Sequence, residues 1–214
     1  LTSIDPYKEK LLGGDLYRNG LTSTGGLSFV ADKRNNRITA TKGVYVVASA
    51  NLSGGFSISE DQLLSLFGGE FNFYELRLNF RGYQPLIKSE RLIFKYNGTI
   101  GHIGSTDGSV IPYIHRYRAG GINSVRGYDW YTLGPFIRAL GYKSSARSVF
   151  VGSDDPTAAD DRLVAGGTET WINNFELESP IIPAAGVSVV AFFDAGNAFG
   201  DPWGEGSIDP RLLR

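Results

Sequence analysis

Phe73-Tyr74-Glu75-Leu76-Arg77-Leu78-Asn79-Phe80-Arg81 decides the fold. In an extended chain, Tyr74, Leu76, Leu78 and Phe80 fall on one side, and Glu75, Arg77, Asn79 and Arg81 on the other. Side chains of a β-strand alternate between faces, so this period of two predicts a strand with one apolar and one polar side. The pattern recurs. It predicts a strand over about Leu21 to Lys33, with Leu21, Leu27, Phe29 and Ala31 together. From Val44 to Ser53, Val44, Val46, Ala48, Ala50 and Leu52 oppose Tyr45, Ser49, Asn51 and Ser53, and Gly54-Gly55 is expected to close that strand. Leu92, Phe94, Tyr96 and Ile100 oppose Arg91, Lys95, Asn97 and Thr99. Between about Gly167 and Pro180, Trp171, Phe175 and Leu177 oppose Thr170, Asn174, Glu176 and Glu178. From about Gly186 to Phe199, Val187, Val189, Ala191 and Phe193 oppose Ser188, Val190, Phe192 and Asp194. Leu1 to Gly20 offer only a turn at Asp5-Pro6 and one helical turn over Tyr7 to Leu12, and Arg211 to Arg214 could begin a further strand. The fold class is all-β.

Alternation does not say which face is inside. A soluble sandwich buries the apolar face, whereas a membrane barrel turns it to lipid and lines a wet lumen with the polar one. Strand length and connections favour the barrel. The predicted strands approach the ~9–11 residues that cross a bilayer at a tilt. Links around Asn36, Leu86 and Pro183 are short and those around Leu64, Tyr128 and Trp203 are long, as in barrels with tight turns at one rim and long loops at the other. Composition is compatible: the chain has 214 residues, 28 glycines, no cysteine and a net charge of -1. Without cysteine there are no disulfides, thiolate metal sites or cysteine nucleophiles, and the charge gives no basic footprint for nucleic acid. No apolar run is long enough for a membrane helix, and a mean hydropathy of -0.13 is ordinary for strands that alternate. The opening Leu1-Thr2-Ser3 and the absence of methionine are expected of an internal piece of a longer chain.

The connection from about Ser105 to Gly166 is too long for an incidental loop in a compact domain. It carries Gly120-Gly121-Ile122-Asn123-Ser124-Val125-Arg126-Gly127-Tyr128. Glycine at this density permits tight turns and close packing, so Val125, Arg126, Gly127 and Tyr128 present one fixed cation and one aromatic ring. Asp154, Asp155, Asp160 and Asp161 read as a solvated tip, since their spacing does not match a calcium-binding EF-hand loop. Glu176 and Glu178 share a strand face and could form an acid–base pair. The two histidines offer them no partner, because His102 alternates onto the apolar side with Ile100. No enzyme activity, metal or cofactor is expected. Asn51-Leu52-Ser53 and Asn97-Gly98-Thr99 match glycosylation sequons but lie within strands.

The Val-Arg-Gly-Tyr tetrad resembles the signature of the long sixth loop in BamA-type outer-membrane assembly barrels. Other pieces resemble that family in its order: Asp32-Lys33-Arg34-Asn35-Asn36 with Thr41-Lys42-Gly43, Phe73-Tyr74-Glu75-Leu76, Tyr83-Gln84-Pro85-Leu86, Tyr113 to Tyr117, Gly166-Gly167, Asn174 to Pro180, and Phe192 to Asn197. The resemblance implies that residues 1–214 belong to one antiparallel transmembrane β-barrel, supplying about six strands, roughly the eighth to thirteenth, of a barrel of about sixteen. It implies upstream POTRA repeat domains and closing strands outside this chain, and a lumen-inserted loop over about 105–166. It further implies that Arg126 meets lumen carboxylates at Glu176 and Asp194, with Gly120, Gly121 and Gly127 packed on the inner wall. The implied function is folding and insertion of β-barrel proteins into the bacterial outer membrane. The implied partners are unfolded outer-membrane proteins, the lipid bilayer and accessory lipoproteins of an assembly complex. Two-partner secretion pores and TamA-like translocation barrels share the barrel type and the loop, and Tyr128, where BamA proteins more often have Phe, keeps both in view.

Overall fold

The computed structural model describes residues 21–59, 62–65, 68–69, 71–87, 89, 91–108, 111–138, 162–182 and 185–200. The turn at Asp5-Pro6, the helical turn after it, the acidic stretch 154–161 and the terminal residues 211–214 lie outside them. One antiparallel sheet dominates. Its strands are β1 (Thr24–Asp32), β2 (Gly43–Ser53), β5 (Phe73–Pro85), β6 (Ile93–Ser105), β9 (Glu169–Ile182) and β10 (Val187–Phe199), and they lie side by side in that order. Every neighbouring pair is antiparallel, so the sheet is a meander with no crossover.

All six expected strands are present. Where sequence and structure differ, the chain stays extended for longer than the alternation suggested. β5 and β6 each have 13 residues and continue past Arg81 and Ile100. Their far ends carry glycines and mixed residues, whose faces are fixed by ladder pairing rather than by pattern. Gly54 breaks β2 but does not end the extended run. The chain resumes as β3 (Gly55–Ser59), which pairs with β4 (Gln62–Ser65). The long 105–166 connection also contains structure: a 3-10 turn at Tyr113–His115 and a small pair formed by β7 (Phe136–Arg138) and β8 (Arg162–Val164).

Register aligns the predicted faces across the whole sheet. Asn79 sits opposite Thr99 on β6 and Val47 on β2, and Asn174 sits opposite Asn97 and Asp194. Thus all polar faces look to one side, where the long loop lies, and this is called the inner face. The outer face presents Leu27, Phe29, Leu76, Leu78, Phe80, Ile100, Trp171, Val189 and Phe193 to the surroundings. A soluble protein would bury such a face. The buried apolar cluster is instead small and sits at the long-loop rim, where Phe71, Phe73, Ile103 and Ala198 meet Ile111 and Tyr117 of the loop.

Candidate functional site: the loop seated on the inner wall

The connection from β6 to β9 is fastened to the inner face at three successive places. At its base, the His115 ring packs on Phe73 with centroids 4.7 Å apart, and burial lowers the pKa of that imidazole. Next, Tyr117 exchanges two backbone hydrogen bonds with Gly167, at 2.9 and 2.8 Å. Its phenol lies over Gly101 of β6, where a Cβ would come within 2.5 Å of the hydroxyl. The hydroxyl donates to Glu75 Oε1 at 2.8 Å, and Glu75 Oε2 accepts from Asn51 Nδ2 at 3.2 Å. Burial first, and the Glu75 carboxylate second, push the Tyr117 pKa up.

Beyond Tyr117 the chain makes a knuckle. Ala119 pairs with Leu133, and Gly121 N–H donates to Tyr128 O at 2.9 Å. The Ser124 hydroxyl accepts from Gly120 N–H and donates to Gly120 O, both at 2.8 Å. Gly120 and Gly121 have φ of 103° and 92°, which favour glycine. A side chain at Gly120 would collide with the Asp129 carbonyl, and one at Gly121 would meet the Trp130 indole at 2.7 Å. A Cβ on Gly127 would meet nothing within 4 Å. What Gly120 and Gly121 accommodate is therefore the returning limb of the loop itself. Val125 is buried, while Tyr128 is 56% exposed.

At the tip of the knuckle, Arg126 touches the wall. Its Nε donates to Asp194 Oδ2 and its Nη2 to Asp194 Oδ1, both at 2.7 Å. Nη1 donates to Glu176 Oε1 at 2.6 Å, and the Arg126 backbone N–H donates to Asp194 Oδ2 at 2.9 Å. The guanidinium carbon stands 3.8 Å from the centroid of the Phe192 ring. The Asp194 side chain is only 2% exposed, against 24% for Arg126 and 29% for Glu176. Hydrogen bonding to Asp194, and then to Glu176, raises the Arg126 pKa despite the opposing effect of burial. The planar fork meets one carboxylate along its Nε–Nη2 edge and leaves Nη1 for the second, a geometry that Lys cannot reproduce.

Behind the ion pair runs a line of amides. Asn79 Nδ2 donates to Asn97 Oδ1 at 2.8 Å, Asn97 Nδ2 to Asn174 Oδ1 at 3.0 Å, and Asn174 Nδ2 to Asp194 Oδ1 at 2.9 Å. Asn174 Nδ2 also donates to Ser124 O in the knuckle. This ladder crosses β5, β6, β9 and β10. Sequence placed each member on a polar face but could not join them, because the contact depends on register between strands. Glu176 and Glu178 are not poised as an acid–base pair: Glu176 holds Arg126, and Glu178 is paired with Lys95. His102 does lie on the outer face, yet its Nδ1 is 3.4 Å from Glu169, so it is not remote from every carboxylate. Among the described residues no group of three or more acidic or histidine side chains is placed to hold a metal ion.

An antiparallel meander with an apolar outer face and a loop bound to a polar inner face defines the wall of a transmembrane β-barrel. Among the described residues the sheet is not closed. An Omp85 superfamily domain matches residues 6–210, and the chain belongs to that superfamily. Among solved structures it is similar to BamA from Haemophilus ducreyi lacking POTRA domains 1-3, with a TM-score of 0.63 and 23% sequence identity. The match covers 83% of this chain and 30% of that one, so the chain spans less than a third of the protein it resembles. No helix among the described residues is long and apolar enough to cross a membrane, which says nothing about crossing by strands.

Proposed function

We propose that this chain is part of an outer-membrane barrel that folds and inserts other β-barrel proteins, and that Arg126 is the latch that fixes its long loop in the lumen. The observation that carries the reading is the four-bond seat of Arg126 between Glu176 and Asp194. No covalent chemistry is needed. A barrel of this kind acts physically, on unfolded outer-membrane proteins and on the lipid around it, with accessory lipoproteins as further partners. Val125, Gly127 and Tyr128 shape the tip that presents the arginine, and Gly120 and Gly121 let the loop double back to do so. A translocation pore of the two-partner secretion or TamA-like type is the second reading, favoured by Tyr128 in place of Phe.

The ion pair is substantially withdrawn from water on the Asp194 side, so breaking it leaves a carboxylate without its counter-charge. That places the cost nearer the ~3–5 kcal/mol of a broken buried pair than the ~0–1 kcal/mol of a surface one. In the full-length protein, Arg126→Glu should abolish most insertion of client barrels into vesicles, and Arg126→Lys should recover little of it. Glu176→Arg or Asp194→Arg in the Arg126→Glu background should restore part, with Glu176 the better site because Asp194 also serves the Arg126 backbone and Asn174. Wild-type insertion by Arg126→Glu alone would remove the latch from the mechanism. Export of a secreted substrate with no effect on barrel clients would favour the pore.

A further inference from the structure

The amides behind the latch all point the same way. In Asn79, Asn97 and Asn174 the amino group faces toward Asp194 and the side-chain carbonyl faces away from it. An amide fits its site either way round, so its sense is read from partners that can only accept or only donate. Both ends of the row have such partners. At the β5 end, Asn79 Nδ2 also donates to the Gly98 carbonyl at 3.1 Å, and Asn79 Oδ1 accepts from Arg81 Nε at 3.2 Å. At the β10 end, Asn174 Nδ2 is shared between the Asp194 carboxylate and the Ser124 carbonyl of the knuckle. Asn97 has neither kind: among the described residues its side chain bonds only to Asn79 and Asn174. It joins the two ends.

We infer that Asn97 is a positioning residue for the latch: it passes the sense fixed at β5 on to Asn174, which presents its amino group to Asp194 and to the loop. The inference rests on the Arg126 latch proposed above. It means that the loop is loosened from two strands away, on β6, without any change at Arg126 or its carboxylates. If position 97 cannot donate, Asn174 Oδ1 loses its donor. Asn174 then gains by turning over, and its carbonyl comes to face the Asp194 carboxylate and the Ser124 carbonyl with no proton between them. Asn97→Asp makes that change with almost no change of shape, and it separates the relay from two simpler roles. Asn97 and Arg126 line one inner-face cavity of about 350 Å³. Bare attraction would have a new carboxylate there hold the arginine more firmly, whereas the relay has the arginine let go. A packing role would make Asn97→Ala worse than the isosteric Asp. The relay makes Asp worse, because Ala removes a donor without drawing Asn174 round.

Full-length protein in vesicles tests this, with spin labels at Ile122→Cys on the exposed side of the knuckle and Ser28→Cys on the inner face of β1. Insertion is scored first, by heat-dependent gel migration, and the distribution of distances between the labels is then measured. With Asn97 intact the distribution should be narrow, and Arg126→Ala should broaden it as the knuckle leaves the wall. Asn97→Asp should move several-fold more of the population into that detached distribution than Asn97→Ala does. Asn79→Asp, one strand further from the latch, should act in the same direction. In the Arg126→Ala background, Asn97→Asp should add nothing. A distribution that Asn97→Asp leaves as narrow as wild type, or that Asn97→Ala broadens more, overturns the relay while the latch stands. A narrow distribution in Arg126→Ala overturns the latch and the relay with it. Should Asn97→Asp not insert, Asn79→Asp against Asn79→Ala decides in its place by the same criterion.

Discussion

Arg126 works because its neighbours solve different parts of one problem. Asp194 supplies two bonds in the guanidinium plane, Glu176 a third, and Phe192 a π-face beneath it. Asn174 Nδ2 shares Asp194 Oδ1 with Arg126, so the wall as well as the loop orients the carboxylate. A second polar contact lies on the opposite, outer face. Asn173 is only 6% exposed, and its Oδ1 accepts the Tyr96 hydroxyl at 2.7 Å. The Tyr96 ring reaches it by lying along the space left by Gly98. Tyr96→Phe should therefore destabilise the full-length barrel by ~1–3 kcal/mol, the cost of a buried acceptor left alone. Adding Asn173→Leu should recover most of that loss, since both polar groups then go together. Urea unfolding of the vesicle-inserted protein measures the cycle, and additive losses would mean that the two groups do not depend on each other.

The strands were legible because each carries a run of alternating apolar residues on one face, and a period of two survives without knowledge of neighbours. Arg126, Glu176 and Asp194 were found by a resemblance joined to that parity. The ladder of Asn79, Asn97 and Asn174 was not, since nothing local tells which asparagine faces which. Alternation alone makes Asn79 one more residue of a polar face, but its amide is bonded to Asn97, the Gly98 carbonyl and Thr99, so it is a poor site for a neutral substitution. Ser28 is the better inner control, being exposed beside outward Phe29 and in line with the level of Leu78. Leu78→Arg should cost roughly 2–4 kcal/mol if that level is near the bilayer midplane, and Ser28→Arg close to nothing. Equilibrium folding into vesicles compares the two, and a costly Ser28→Arg beside a neutral Leu78→Arg would invert the faces.

Across the whole sheet, β1 and β10 each have a strand on one side only. Their open backbone edges have no partner within the described sheet, and in a bilayer such groups must be satisfied. Residues 1–214 expressed alone should therefore associate, and should lack the heat-dependent gel migration of a closed barrel. Sedimentation velocity checks this, and a monomer that unfolds cooperatively would contradict it. The loop anchorage has a kinetic consequence at this scale. Tyr117 is clipped to Gly167 nine residues before Arg126, and even if the knuckle opened fully a flexible tether of that length would span only roughly 15–18 Å. A detached arginine is therefore never free in bulk: its carboxylates see it at an effective concentration in the ~mM range. Reattachment is a local, first-order event that dilution cannot slow. Whatever holds the loop open must occupy Glu176 and Asp194 with a cation, cover Arg126 with an anion, or unclip Tyr117 first.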